Sequence, residues 1–153
     1  MTSGQPVIVF QDEMDRIETI ARESACGGPP LAMVNLNQYK QGAGGIGGEG
    51  HSEYMTILYA AVAEVGGRIL WRAPIRGTSV GSPTSIPHEI LLIWYPSHQA
   101  FAQMIMNTKI KGTIGYENWQ VRQKWVETAQ VHCCDASSDH TWPTESMLQL
   151  ASK

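Results

Sequence analysis

Apolar positions along the chain follow two periods, and the changes between them outline the elements. Phe10, Met14, Ile17 and Ala21 recur at helical spacing with charges between them, which predicts an amphipathic helix over Gln11–Ser24. Its acidic residues crowd the first turn, where the helix dipole favours them, and Cys26-Gly-Gly-Pro-Pro30 stops it. Alternation takes over from Leu31 to Tyr39, a first strand with Met33, Asn35, Asn37 and Tyr39 on one face and Ala32, Val34 and Leu36 on the other. Asparagine is a poor strand former, so two on one face point to hydrogen-bonding work or a strand end. A glycine-rich loop, Gln41–Gly50, leads into a helix over His51–Val65 with Tyr54, Leu58, Ala61 and Val65 on one face, ended by Gly66-Gly67.

Arg68–Ala73 reads as a second strand and His88–Tyr95 as a third, strongly apolar one. Glycine, proline, serine and threonine fill most of the long connection between them, Gly77–Pro87. Ser97 is the expected N-cap of a helix through Met106, with Phe101, Met104 and Ile105 inward. Thr113–Trp125 is helical with interruptions, Thr128–Cys133 is a short fourth strand, and a last helix is expected around Glu145–Leu150. After the first helix the order β-α-β-β-α-β is that of a ferredoxin-like α+β fold. Residues 1–30 then form an N-terminal helix and linker, 31–134 the α+β domain and 135–153 a polar tail. One sheet face takes the helices and the other needs a cover, which leads us to expect a homodimer.

Composition narrows the function classes. The 153 residues fit one domain, and 42% apolar against 16% charged residues supports a real core. Eleven Lys and Arg against fourteen Asp and Glu leave a net charge of -3, with no basic footprint for nucleic acid. No apolar run reaches the roughly 18 residues of a membrane span, and Met1–Phe10 lacks the pattern of a secretory signal. Three cysteines make a disulfide scaffold unexpected. A cytoplasmic, single-domain protein without membrane or nucleic-acid partners is the expectation.

Met33-Val-Asn-Leu, then Tyr54 in a helix ending Val65-Gly-Gly-Arg-Ile-Leu-Trp71, then Ile93-Trp-Tyr-Pro-Ser97, Ala100-Phe101 and Met104, resemble the DUF1330-type branch of the dimeric α+β barrel superfamily. The likeness runs from about Leu31 to Cys133. It implies a dimeric barrel, in a superfamily that holds cofactor-free oxygenases, polyketide cyclases, haem-degrading enzymes, muconolactone isomerases and ligand binders. The chain departs from the pattern by its N-terminal helix, its glycine-rich insertion and its longer connection between the second and third strands. Where family members often carry His-Arg before the last strand, this chain has Val121-Arg122, then Lys124-Trp125, so no role of that histidine transfers.

Several motifs invite a chemical reading. Gly42-Ala-Gly-Gly-Ile-Gly47 matches the dinucleotide fingerprint, but the second strand ends in no acidic residue for a ribose and the first is too polar for a central parallel strand. A loop or lid over a pocket fits better. Gly77-Thr-Ser-Val-Gly81 matches a nucleophile elbow, but prolines follow where a helix must start, so a hairpin loop is the better reading. His132-Cys-Cys-Asp135, with Asp139-His140, holds metal-ligand types without metal-ligand spacing, and no metal or other cofactor is expected.

His88 and His51 open a strand and a helix, where the mouth of a sheet–helix cavity would lie, and an imidazole there can exchange a proton near neutral pH. A surface or capping histidine is the plainer role for each. The cyclases this fold resembles use a tyrosine–histidine pair for acid–base chemistry, which adds weight to His88. We take His88, His51 and Tyr54 as the candidate catalytic set. Asn35, Asn37, Tyr39 and Arg72 are candidates to bind substrate oxygen, and Trp71 and Trp94 to wall the pocket; core packing and interface bonding are their alternatives. The expected function is a cofactor-independent biosynthetic enzyme that cyclises, dehydrates or isomerises an apolar, oxygenated, polyketide- or terpenoid-like substrate. The alternatives are a cofactor-free monooxygenase of an aromatic substrate and a non-catalytic small-molecule-binding dimer.

Overall fold

A computed structural model describes residues 10–81 and 86–135. The helix expected around Glu145–Leu150, Asp139-His140 and residues 1–9 lie outside the described residues. Eight elements follow in order: α1 (Gln11–Glu23), β1 (Leu31–Tyr39), α2 (Glu49–Glu64), β2 (Arg68–Pro74), β3 (Glu89–Tyr95), α3 (His98–Asn107), α4 (Ile114–Trp125) and β4 (Val126–Asp135). All neighbouring strands run antiparallel in the order β2-β3-β1-β4, the arrangement of a ferredoxin-like α+β fold. β4 is longer than the expected Thr128–Cys133, because it pairs with the whole of β1 and tertiary pairing overrides the weak strand preference of its polar ends. Among the described residues no helix is long and apolar enough to cross a membrane.

Register sorts the strands into two faces. Leu31, Met33, Asn35 and Asn37 of β1 lie opposite Tyr95, Ile93, Leu91 and Glu89 of β3, and this set faces the helices. Met33, Leu91, Ile93 and Tyr95 are buried there with Tyr54, Met55, Leu58, Ala61 and Val62 of α2 and with Phe101 and Met104 of α3. Ile17 fastens α1 to the same core. The opposite face carries Val34, Leu36, Ile90, Leu92 and Trp94, only partly buried, with Trp71 at 52% exposure beside them. No described element covers it.

One irregularity decides which side chains of β2 reach the core. Ile69 pairs with Ile93 but Trp71 pairs with Leu92, so Leu70 is an extra, bulged residue. The insertion reverses the alternation beyond it. Trp71 turns to the uncovered face, and Arg72 turns toward the helices opposite Leu91.

The helix layer is tied together by polar caps. Ser97 caps α3 through Ala100 N–H, and Thr113 caps α4 through Tyr116 N–H. Glu64, at the end of α2, accepts from the amides of Ile114 and Gly115 and from Asn107 Nδ2, which sets a carboxylate on the positive end of α4. Gly50 lets α2 approach α4, for a Cβ there would stand 2.6 Å from the Trp125 ring.

Glu64→Ala should lower unfolding free energy by about 1 kcal/mol through the lost cap. Gly50→Ala should lower it by about 1–3 kcal/mol through overpacking against Trp125. Urea denaturation of both variants checks the order, and a neutral Gly50→Ala would contradict the close α2–α4 approach.

Candidate functional site

The apolar alternation of β3 contains one charge in its buried phase. Glu89 lies in line with Leu91, Ile93 and Tyr95 and has 0% exposure. A carboxylate removed from water is costly unless donors surround it, and three do. Tyr39 Oη donates to Oε1 at 2.5 Å, His51 Nε2 meets the same oxygen at 3.0 Å, and Arg72 Nη1 donates to Oε2 at 3.1 Å. Arg72 reaches in from β2 by virtue of the bulge and keeps its side chain 39% exposed. Its charge offsets the carboxylate while part of the side chain remains in contact with water.

His51 is fixed at both ends. The Gly47 amide donates to its Nδ1 at 3.0 Å, so the proton of the ring is on Nε2 and points at Glu89. The glycine-rich loop does this orienting. Gly44, Gly45 and Gly47 have φ of +83°, +76° and +85°, which lets the chain double back and aim an amide at the first turn of α2. A Cβ on Gly48 would stand 2.5 Å from the Gly44 carbonyl oxygen, so the loop is tightly packed at its base. The loop forms a turn built around His51.

From Tyr39 the polar chain continues. Asn37 Nδ2 donates to Tyr39 Oη at 3.3 Å, and the Tyr54 ring is tilted against Tyr39 with centroids 6.1 Å apart. Burial pushes the Tyr39 hydroxyl well above its ordinary range, and the hydrogen bond to Glu89 adds to this. Burial raises Tyr54 too, opposed by the Arg122 guanidinium near it. Burial likewise raises Tyr95. These phenols therefore stay protonated at neutral pH and act as donors.

The sequence candidates divide into two groups. His51, Asn37, Tyr39, Tyr54 and Arg72 come together around Glu89. Asn35 shares their face of β1, opposite Leu91 and Val131. His88 stands at the exposed start of β3, its Nδ1 accepting from the Tyr39 amide at 3.0 Å and its ring 6.4 Å from the Tyr39 ring. It borders the cluster from the rim. Trp71 and Trp94 lie on the opposite sheet face, away from the cluster. Glu89 was missed, although a lone carboxylate in phase with Leu91, Ile93 and Tyr95 is a legible signal. His98 was missed too; buried at the start of α3, it donates from Nδ1 to the Pro29 carbonyl at 2.7 Å and pins the linker after α1.

Other motifs have plainer settings. Gly77–Gly81 is irregular and exposed. Cys26, Cys133 and Cys134 are free thiols, and among the described residues no group of three metal-ligand side chains converges. An open depression of about 660 Å³ between α2 and α4, lined by Ser52, Thr56, Tyr116 and Gln120 among others, contains none of the clustered residues.

No protein-family profile and no curated protein matches the chain. In fold it is similar to the methylated RPA0582 protein, with a TM-score of 0.67 at 18% identity over 89% of this chain and 98% of that one. A second structure, of the RPA0582 protein of unknown function from Rhodopseudomonas palustris, gives a TM-score of 0.63 at 19% identity over 88% and 96%. These likenesses concern the α+β fold, whose four-stranded antiparallel sheet is consistent with a ferredoxin-like architecture, and extend to no activity.

Two consequences are measurable. Tyr39→Phe takes one of three donors from a buried carboxylate and should cost about 1–3 kcal/mol. His88→Ala removes one acceptor at an exposed position and should cost under about 1 kcal/mol, both read by urea unfolding. Because Tyr39, Tyr54 and Tyr95 are raised above the 10.0 of a free phenol, the folded state holds their protons longer than the unfolded state. The contribution of these three tyrosines to stability should be constant up to about pH 10 and fall above it, as the unfolded chain ionises first. Tyr39→Phe should shallow that fall; an unchanged slope would argue against a protonated, buried Tyr39.

Proposed function

We propose that the protein is a cofactor-independent acid–base enzyme acting on a small oxygenated molecule held between the sheet and the helices. The observation that carries this reading is the fully buried Glu89 carboxylate joined to the Tyr39 hydroxyl at 2.5 Å. A core that needed only stability would place an apolar residue there, since burying a carboxylate costs several kcal/mol (order of magnitude) before its partners compensate. Buried titratable groups held in register by a cation and a fixed imidazole are the usual equipment of proton transfer.

In this reading a proton leaves the carbon next to a substrate carbonyl for the Tyr39 oxygen as Tyr39 passes its own proton to Glu89. The electron pair moves to the carbonyl oxygen, where the Asn35 and Asn37 amides and the Tyr54 hydroxyl stabilise it. Return of the proton elsewhere gives isomerisation, and loss of a neighbouring hydroxyl gives dehydration. His51 and Arg72 do not need to touch substrate; they hold Glu89 as a charged, correctly oriented acceptor. His88 at the rim is the candidate for exchanging protons with solvent.

The working unit in this proposal is a cytoplasmic homodimer of the dimeric α+β barrel kind, formed by the face that carries Trp71, Leu92 and Trp94. Exposed, contiguous apolar surface of this sort is the usual mark of an interface.

Purified protein incubated in D2O with a metabolite extract should place carbon-bound deuterium into a specific metabolite. Tyr39→Phe should slow this at least about a hundredfold, the ordinary weight of one general acid–base group. His88→Ala run in parallel separates a rim role from a central one. No exchange above the buffer control sinks the enzyme reading and leaves a binding protein; a product that gains oxygen only in air transfers the site to oxygenation. For the assembly, Leu92→Lys should convert a dimer to a monomer in light scattering, and a monomeric wild type removes the interface.

A further inference from the structure

The polar chain that begins at Glu89 has an outer end, and its chemistry differs from that of the inner end. Asn35 lies on a central strand and faces the helices, yet it is only half-buried. Its cross-strand partner Val131 is 50% exposed on the same face. The helix layer therefore leaves this part of β1 and β4 partly open to solvent. α4 carries two polar side chains one turn apart, Asn118 and Arg122, and the Arg122 guanidinium comes near the Tyr54 hydroxyl on the helix side of the sheet.

Both lack the partner their chemistry calls for. The Arg122 guanidinium is half-buried, stacked 5.1 Å from the centre of the Trp119 ring, and near the Tyr54 hydroxyl. Among the described residues no carboxylate lies within ion-pair distance of it; the acidic partners found elsewhere are Glu13, Glu53 and Glu89. Asn118 is 4% exposed, and its Oδ1 has no donor among the described residues. A buried carbonyl oxygen without a donor is a place where a ligand hydroxyl gains a hydrogen bond at little desolvation cost. A guanidinium that lies over an indole and has no carboxylate partner among the described residues suits an incoming carboxylate.

We infer that this open region beside α4 binds a small hydroxy acid, with the carboxylate on Arg122 and a ligand hydroxyl donating to Asn118 Oδ1. The inference rests on the acid–base reading for what happens after binding, because it sets the anionic end of the ligand beside Tyr54 and its neighbouring carbons toward Asn37 and Tyr39. Charge placement agrees with this. The inner end of the chain already holds one negative charge on Glu89, balanced by Arg72, so a second anion finds its counter-charge only at the outer end.

The test is calorimetric titration of the full chain with 4-hydroxybenzoate and 3-hydroxybutyrate, each beside its amide and its deoxy analogue. At least one acid should bind about tenfold or more tightly than its amide, the difference expected of one charge-assisted pair. Arg122→Gln should erase that preference and leave amide binding unchanged, Arg122→Lys should keep part of it, and Asn118→Leu should erase the preference for the hydroxyl. Equal affinity for acid and amide, an undiminished preference in Arg122→Gln, or no binding of any acid up to about 10 mM overturns the inference. Acid binding that depends on Arg122 without any deuterium exchange leaves this inference standing and removes the acid–base reading. Exchange without a preference for acids does the reverse.

Discussion

A carboxylate shut away from solvent has to be satisfied entirely by the protein around it, and Glu89 imposes that demand on four separate segments. β1 must deliver Tyr39, α2 must deliver His51, β2 must deliver Arg72, and the loop before α2 must fix the His51 ring. None of these is satisfied by helix or strand geometry alone. The bulge at Leu70 exists in the same bargain, because without it Arg72 would face away from Glu89 and Trp71 would be driven into the core. The positive φ values around Gly44–Gly47 serve it as well, since the amide that reaches His51 Nδ1 comes from that turn. Local irregularities thus cluster where one buried charge needs them.

The consequence is a division of labour between the two sheet faces. Toward the helices, Leu31, Met33, Ile93 and Tyr95 build an ordinary core at one end of the sheet, while Asn35, Asn37, Tyr39 and Glu89 build a polar region at the other. Away from the helices the two central strands carry Val34, Leu36, Ile90, Leu92 and Trp94, apolar or wide aromatic side chains flanked by polar Gln130 and His132 of β4. The aromatic residues follow the same split in part: Tyr39 and Tyr54 sit among the polar groups, Tyr95 packs on Phe101 in the apolar core, and Trp71 and Trp94 sit outside. A tryptophan-walled pocket is an attractive reading of composition, but the register sets these two indoles on the surface opposite Glu89.

How much of this was legible in the chain follows from which signals are local. Strand and helix periodicity, the caps Ser97 and Thr113, and the β-α-β-β-α-β order are written in short windows, and they lead to the right sheet. Asn35, Asn37 and Tyr39 could be placed on one face because β1 is regular up to its last residues. Arg72 could be named but not aimed, since a one-residue bulge reverses alternation without leaving a mark in composition. Glu89 was overlooked for a different reason. The eye goes to the histidine that opens the strand, whereas a single acid among Ile90, Leu91, Leu92 and Ile93 is easily taken for a strand-end residue. Its phase with Leu91 and Ile93 was the available clue, and reading charge against phase would have found it.

The same contrast separates His51 from His88. Both stand at the start of an element, both accept a backbone amide at Nδ1 at 3.0 Å, and both come close to Tyr39. They differ in what the second nitrogen faces and in access to water. His51 spends both nitrogens on fixed protein groups, so its ring cannot turn to a ligand without breaking the contact to Glu89 or to Gly47. It is a strut whose value lies in not moving. His88 is exposed, and its ring is held at only one edge among the described contacts. Burial and bonding divide two similar histidines into an orienting group inside and an exposed one at the rim. The buried carboxylate sets that division, because only the histidine that faces it is immobilised.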